Sequence, residues 1–584
     1  MGISERIIIN YLKDLPSMPC TINNMAWNRT GSWRFLTPIL QDKISPCRDA
    51  CPAGIDISGF ISEVGCKDYE RAWQIIVEEN PFPSVCGRVC GHPCEGACNR
   101  KEFDDPLVIH ALERFVGDHG LAHELKVQIA KAHGSETIAV VGSGPAGLSC
   151  AYHLRRLGYT VEVFERSPLP GGMLGWGIPD YRLPPTVLGM EIERLRDMGI
   201  KIETNVSLDS HFLTDGLREF RAIFLALGAQ KDLHLGIPGE DLKGVLSGLD
   251  FLRGVKGGNP PALGKRVILV GGGNTAIDVA RTALRLGSAP TLIYRRTRTE
   301  MPAVPSEIEE ALKEGVRIEF LTSPVVITRL TGQQLQLECV RNRLGELGPD
   351  GRRTPLPMGG SNFLIVADTI VVAIGEGIDS DPLIQSLKET EAGIKVDEWG
   401  GTQIPGVFAG GDLTAESRTV PHAIGSGKKV AIAIDAFVRG LDRNQAQSVS
   451  LGSQGSFSMS SWINPPSETH RSDQVVTYED LNTSYFEHRP REKVPQLSEM
   501  GRRIGSFGEV NLGFGEKAAI EEAERCFHCG TCNLCQKCAL FCPDASIYLN
   551  IKTKAIEVDL EHCKGCGICA YECPGHVIIM ENIP

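Results

Sequence analysis

Downstream of residue 136, short apolar runs alternate with longer amphipathic stretches, the texture of strands and helices in a parallel α/β sheet. Thr137-Ile-Ala-Val-Val141 reads as a strand, Leu148 to Leu157 as a helix and Thr160–Phe164 as the next strand. The same order returns with Arg266–Val270, a helix to Leu286, and Pro290–Tyr294. Upstream, residues 46–135 carry helical spacing in Tyr69–Glu79 and Leu107–Val116. Residues 441–525 break the pattern. Leu451–Ser461 is rich in Ser, Gly and Gln and reads as a linker, and residues 471–520 read as a polar wrapping segment. Residues 526–584 form a small, cysteine-dense module. Residues 1–45 are an extension with scattered aromatics (Trp27, Trp33, Phe35) to which no function attaches.

The chain has 584 residues, 42% of them hydrophobic, which suits several ordinary globular cores. A formal net charge of −12 argues against nucleic acid or an anionic membrane surface as partner. No apolar run of membrane-spanning length and no secretory leader is visible, so a cytoplasmic location without membrane insertion is expected.

Glycine, at 64 residues, is in excess and marks tight turns and close ligand approach. The first strand runs into Gly142-x-Gly144-x-x-Gly147. Gly142 permits the turn, Gly144 clears the backbone for a pyrophosphate at a helix N-terminus, and Gly147 lets helix and strand pack. Glu165 ends the second strand, 23 residues after Gly142, where a carboxylate can bond a ribose hydroxyl. The second unit has Gly271-x-Gly273-Asn274-x-Ala276, and its second strand ends in Arg295 and Arg296. Guanidinium groups there suit a 2′-phosphate, which points to NADPH over NADH.

Sixteen of the 20 cysteines fall into two dense groups, the pattern of metal ligands. Cys532, Cys535, Cys538 and Cys542-Pro543 repeat as Cys563, Cys566, Cys569 and Cys573-Pro574, the spacing of a bacterial two-cluster ferredoxin. The fourth cysteine of each run ligates the other cluster. One [4Fe–4S] set is therefore Cys532, Cys535, Cys538 and Cys573, and the other Cys563, Cys566, Cys569 and Cys542. The N-terminal group is less regular: Cys47, Cys51, Cys86, Cys90, Cys94 and Cys98. Cys526 and Cys529 precede the ferredoxin run and belong to neither of its clusters. Cys20, Cys66, Cys150 and Cys339 are isolated, and Cys150 reads as core packing.

Over residues 46–440 the chain resembles the glutamate synthase small-subunit family of flavoproteins and the N-terminal half of dihydropyrimidine dehydrogenase. The likeness rests on Gly142–Glu165, Gly171-Gly-Met-Leu-Gly-Trp-Gly-Ile-Pro179, Phe224-Leu-Ala-Leu-Gly-Ala229, the second glycine turn with Tyr294-Arg-Arg, and Gly406-Val-Phe-Ala-Gly-Gly-Asp412. It implies a helical iron–sulfur domain, two nested Rossmann-like α/β domains and, here, an appended α+β ferredoxin domain. FAD would occupy residues 136–255 and 361–440, and NAD(P)H an inserted domain at 256–360. By the same resemblance Gly172, Met173 and Leu174 line the flavin ring, Asp412 bonds the ribityl–phosphate part, and Thr419, Val420 and Ala423 cover the ring.

Proteins of that type carry two N-terminal [4Fe–4S] clusters, but their pattern begins with a Cys-x2-Cys that is missing here before Cys47. Glu522-Ala-Glu-Arg-Cys526 resembles the text that normally leads into that pair. The C-terminal segment is therefore expected to fold back, so that Cys526 and Cys529 complete a cluster with Cys47 and Cys98. For the other cluster, Cys51, Cys90 and Cys94 match three thiolates of dihydropyrimidine dehydrogenase. Its side-chain ligand falls at Glu113, with Cys86 as the competing fourth ligand. Four clusters are favoured, or three if one N-terminal cluster is absent.

A hydride carries two electrons and a cluster accepts one, so a flavin must convert between them. No domain for another substrate and no catalytic triad stands out, and His110, His422, His528 and His562 read as structural. The expected function is an electron-transfer subunit between NAD(P)H and a partner redox enzyme in a hetero-oligomeric complex. That partner would dock near the ferredoxin module. Resemblance implies 2-oxoacid:ferredoxin, aldehyde or sulfite oxidoreductases as its class. The alternatives are a flavin-bifurcating transhydrogenase subunit, a stand-alone NAD(P)H:ferredoxin oxidoreductase and, remotely, a non-catalytic scaffold.

Overall fold

The computed structural model describes residues 29–583 except 130–135, 331–333, 349, 380, 391–392, 416, 443–446, 466–471, 499–501 and 503. Cys20 and Trp27 lie outside the described residues.

Five parallel strands in the order Val407–Ala409, Ala222–Leu225, Thr137–Val141, Thr160–Phe164 and Lys201–Glu203 make the first α/β sheet. The apolar runs are buried because both faces are covered: helices Pro145–Arg156 and Val420–Arg439 pack together over the face of Ile138 and Val140, and Leu213, Leu383 and Leu387 cover the face of Ala139 and Val141. A second five-stranded sheet has the order Arg317–Glu319, Ala289–Ile293, Arg266–Val270, Thr369–Val372 and Val245–Ser247. The second unit is thus wider than the 256–360 expected from sequence. Val245–Ser247 and Thr369–Val372 belong to it because their backbones complete its sheet.

The N-terminal domain is helical, built on Ile57–Gly65, Tyr69–Val77, Pro83–Val89 and Ile109–Ala122. Asp56 and Asp68 cap the first two of these helices by accepting from Gly59 and Arg71 amides. Gly87 and Gly117 let two of them touch: a Cβ on Gly87 would lie 2.4 Å from the Arg114 amide, and one on Gly117 2.5 Å from that of Ser84.

The first and last described strands meet. Strand Leu36–Leu40 pairs antiparallel with Ile578–Asn582, placing part of the N-terminal extension on the ferredoxin module. Ile44 bridges to Val475, and helix Glu516–Ala523 packs on Ile57–Gly65 and Ile109–Ala122. The stretch Leu451–Ser461 is not a free linker. Ser450–Leu451 and Ser456–Phe457 form a small hairpin leading into helix Met459–Ile463. The Ser458 hydroxyl and the Met459 amide both donate to the buried Glu79 carboxylate. Small polar residues there serve a buried acid, which composition alone cannot distinguish from a flexible tether.

Candidate electron-transfer site

The first glycine turn has the shape its sequence requires. Gly142 sits at φ +103°, and a Cβ on it would meet the Ala226 carbonyl at 2.4 Å. A Cβ on Gly147 would lie 1.9 Å from the Gly142 carbonyl, so helix and turn are in contact there. Gly144 has nothing within 4 Å of its Cβ position: the space a pyrophosphate needs is open at the helix N-terminus. Gly271 and Gly273 repeat the arrangement. A Gly271 Cβ would reach the Ala373 carbonyl at 2.1 Å, whereas Gly273 faces open space. Ala276 packs beneath the turn.

One cavity of about 500 Å³ runs from the first turn to the second unit. Gly142, Gly144, Glu165, Gly172, Met173, Leu174, Asp412, Thr419, Val420, Ala423 and, from the second unit, Asn274 all line it. Its size and its open glycine cradle fit a nucleotide cofactor, and Gly271, Gly273 and Ala276 do not line it. Glu165 is buried and oriented: the Ser143 amide and hydroxyl donate to Oε2 at 2.9 and 2.6 Å, and the Ser167 amide to Oε1 at 2.8 Å. Thr419 caps helix Val420–Arg439 by accepting from the His422 amide.

The two strand-end arginines diverge. Arg295 is exposed, whereas Arg296 is buried and donates to the Arg353 carbonyl at 2.7 Å and to Asp350 at 3.3 Å. Neither lines the cavity. Sequence reading missed Arg182 and Asp278, which do. They form a buried two-point pair at 2.9 and 2.7 Å between the two nucleotide units. No motif announces such a pair, because it exists only once the units are packed.

Beside this cavity lies a second one, walled by Cys51, Cys86, Cys90, Cys94, His92, His110, Asn80 and Glu113. Pro421 lines both cavities. A Cβ on Gly425 would stand 2.2 Å from the Pro52 carbonyl, so the helix capped by Thr419 touches the Cys51 loop directly. One turn further along that helix, the buried Lys428 ammonium bonds Glu79 at 2.6 Å. Burial opposes the Glu79 charge, but Lys428 holds its carboxyl below the usual range. Burial pushes the Glu113 carboxyl up to about 8, although the Asn80 amide donates to it at 2.9 Å. Four thiols and one carboxyl thus face one small space; burial raises all four thiols, and a metal bound among them would displace their protons.

Cys47, Cys98, Cys526 and Cys529 come together from both ends of the chain. Burial raises the Cys47 thiol, and the adjacent Cys98, Cys529 and Cys526 add to the effect. Cys529 feels Cys526 and Cys98 in the same way. Cys94 lies within electrostatic reach of Cys47, so this group adjoins the preceding one. The fold-back is held by Arg100, which donates to the Arg525 carbonyl, and by Glu522, which accepts from the Val108 amide at 2.8 Å.

In the ferredoxin module one cavity is walled by Cys532, Cys535, Cys538 and Cys573, together with Phe527 and His528. The other is walled by Cys542, Cys563, Cys566 and Cys569. Each thus takes its fourth cysteine from the opposite run. His110 bonds Glu95 and His562 bonds Asp559, each at 2.7 Å. Cys150 is buried in its helix, as is Cys339 in its strand, and Cys66 is exposed.

Two glycine-turn α/β units around one cavity, joined to cysteine-walled modules, define a pyridine-nucleotide flavoprotein oxidoreductase with iron–sulfur centres. Residues 136–427 match the model of the pyridine nucleotide-disulphide oxidoreductases, 39–125 that of dihydropyrimidine dehydrogenase domain II, 4Fe-4S cluster, and 556–579 that of the 4Fe-4S binding domain. The chain belongs to the pyridine nucleotide-disulphide oxidoreductase family. It is 36% identical to the NADP(+)-dependent formate dehydrogenase subunit beta of Moorella thermoacetica, over 83% of this chain and 70% of that one. It is also 36% identical to the NADPH-Fe(3+) oxidoreductase subunit beta of Geobacter sulfurreducens, over 83% of this chain and 75% of that one. The glutamate synthase [NADPH] small chain of Halomonas elongata is 32% identical, over 66% of this chain and 86% of its own length. Among the described residues no helix is long and apolar enough to cross a membrane.

Proposed function

We propose that the chain carries electrons between NADPH and a catalytic redox subunit through FAD and four [4Fe–4S] clusters. FAD, when bound, exchanges a hydride with the nicotinamide and single electrons with iron–sulfur centres. Gly142 and Gly147 shape the turn, Gly144 leaves room for its pyrophosphate, Glu165 takes the ribose, Asp412 bonds the ribityl–phosphate part, and Gly172, Met173, Leu174, Thr419, Val420 and Ala423 enclose the ring. Gly271, Gly273, Asn274 and Ala276 seat the second nucleotide, and Arg295 takes the 2′-phosphate.

Four ligand sets follow in order from the flavin cavity. The first is Cys51, Cys90 and Cys94 with Cys86 or Glu113. The second is Cys47, Cys98, Cys526 and Cys529. The third is Cys532, Cys535, Cys538 and Cys573, and the last is Cys542, Cys563, Cys566 and Cys569. The observation that carries this reading is the shared wall: Pro421 faces both the flavin cavity and the first cysteine cavity. Because the last set lies in the ferredoxin module, the partner docks there. Relatives named as beta subunits of a formate dehydrogenase and of an Fe(3+) oxidoreductase support a catalytic subunit as that partner, with free ferredoxin as the alternative acceptor.

Anaerobic addition of NADPH to the full chain tests the reading: flavin absorbance bleaches and cluster signals appear in turn. A colourless purified protein would refute it. Anaerobic purification from the native source names the partner.

A further inference from the structure

We propose that the His92 imidazole donates a hydrogen bond from Nε2 to the cluster held among Cys51, Cys86, Cys90, Cys94 and Glu113, favouring its reduced form. The inference rests on the reading that a cluster fills that cavity. His92 is one of the residues walling it. Its Nε2 is buried and has no hydrogen-bond partner among the described residues. A buried ring nitrogen left without a partner is costly, and in the tautomer that carries its proton on Nε2 a cluster in this cavity would supply that partner.

The orientation is over-determined. His92 stands at φ +53°, in the left-handed region, and its amide donates to Cys90 Sγ at 3.3 Å. Its ring stacks on His110 with centroids 4.2 Å apart and planes 25° from parallel. His110 is itself fixed, since its Nδ1 bonds Glu95 Oε1 at 2.7 Å. Arg491, from the wrapping segment, holds the other oxygen of Glu95 at 2.9 Å. His92, Glu95 and His110 bring one ligand atom each within 4.8 Å of one another, which invites a metal ion. Both Glu95 oxygens are already engaged, one by the Arg491 cation, so the trio serves as a brace and not as a cation site.

Reduction adds one negative charge to a cluster, and a hydrogen bond donated to it is stronger in that state. His92 thus acts on the cluster directly, through the bond it donates, and neither carries electrons nor ligates iron. The test is an anaerobic redox titration of the full chain followed by low-temperature electron paramagnetic resonance. The relevant signal is the one lost in Cys90→Ser. In His92→Phe, iron and sulfide contents stay at the parent level. The reduced-to-oxidised ratio of that signal at fixed poise falls about tenfold, equal to about 59 mV for a one-electron couple. His92→Gln, which keeps a donor, recovers part of the shift. An unchanged ratio in His92→Phe overturns the proposal, and so does loss of the cluster from both variants, which would make the role one of packing. If the parent chain shows no signal that depends on Cys90, the cluster reading fails first and takes this inference with it.

Discussion

The Arg525 guanidinium donates to the Asp104 carboxylate at 3.0 Å, joining positions 421 residues apart. Asp104 also takes two bonds from Arg100, at 2.8 and 2.7 Å, and Arg525 a further one to Glu522 at 2.8 Å. The C-terminal segment is therefore clamped to the N-terminal domain within one residue of Cys526 and six of Cys98. Removing one partner of a buried charge pair costs about 3 kcal/mol or more, because the other is left uncompensated. Arg525→Ala is expected to lower the thermal midpoint and to speed iron release to a chelator. Unchanged iron release would show that the clamp does not hold the cysteines.

The clamp has a pH signature. Burial works against the Asp104 charge, but its bond from Arg100 holds the carboxyl at about 2, below the ordinary 3.8. A carboxyl depressed by folding contributes stability that is complete above its unfolded value and lost as pH falls towards its folded one. Stability should therefore fall between about pH 4 and pH 2. In Asp104→Asn the part of that fall due to this group is absent, as acid titration of the unfolding midpoint would show.

Gly425 is the contact between the helix over the flavin cavity and the Cys51 loop. Gly425→Ala puts a methyl 2.2 Å from the Pro52 carbonyl, so helix and loop must part. Overpacking of this kind costs roughly 1–3 kcal/mol. Stopped-flow absorbance should show flavin bleaching by NADPH near the parent rate and slower appearance of cluster reduction. Equal slowing of both phases would place the defect in nucleotide binding instead.

Arg295 and Arg296 should separate cleanly. Arg295→Ala is expected to raise the KM for NADPH about tenfold, the worth of one charge-assisted contact of roughly 1.4 kcal/mol, and to leave that for NADH alone. Arg296→Ala should instead lower stability, since its side chain is spent on Asp350 and the Arg353 carbonyl. A KM effect confined to Arg296→Ala would reverse the assignment.

That contrast shows where sequence reading stops. Both glycine turns were legible because only a missing Cβ allows their approach distances, and the ferredoxin runs because ligand spacing is fixed by cluster size. The adjacent arginines share a motif, but neighbouring residues at a strand end point to opposite sides, and only packing decides which faces out. Val245–Ser247 could not be assigned to its sheet from spacing, since its partner Thr369–Val372 lies more than a hundred residues away. Arg182 and Asp278 carry no local signal at all. The pairing of Cys47 and Cys98 with Cys526 and Cys529 rested on counting ligands against a family pattern, and the fold brings those four side chains together.

Iron and acid-labile sulfide counts on the Cys526→Ser/Cys529→Ser double variant, beside the parent chain, test that joint site most directly. One cluster, about four irons, should be lost, while bound flavin and the ferredoxin-type signals remain. NADPH should still bleach the flavin in this variant, but reduction of the ferredoxin clusters should stall. Unchanged iron with an unchanged cluster spectrum would contradict the shared site and the electron path through it.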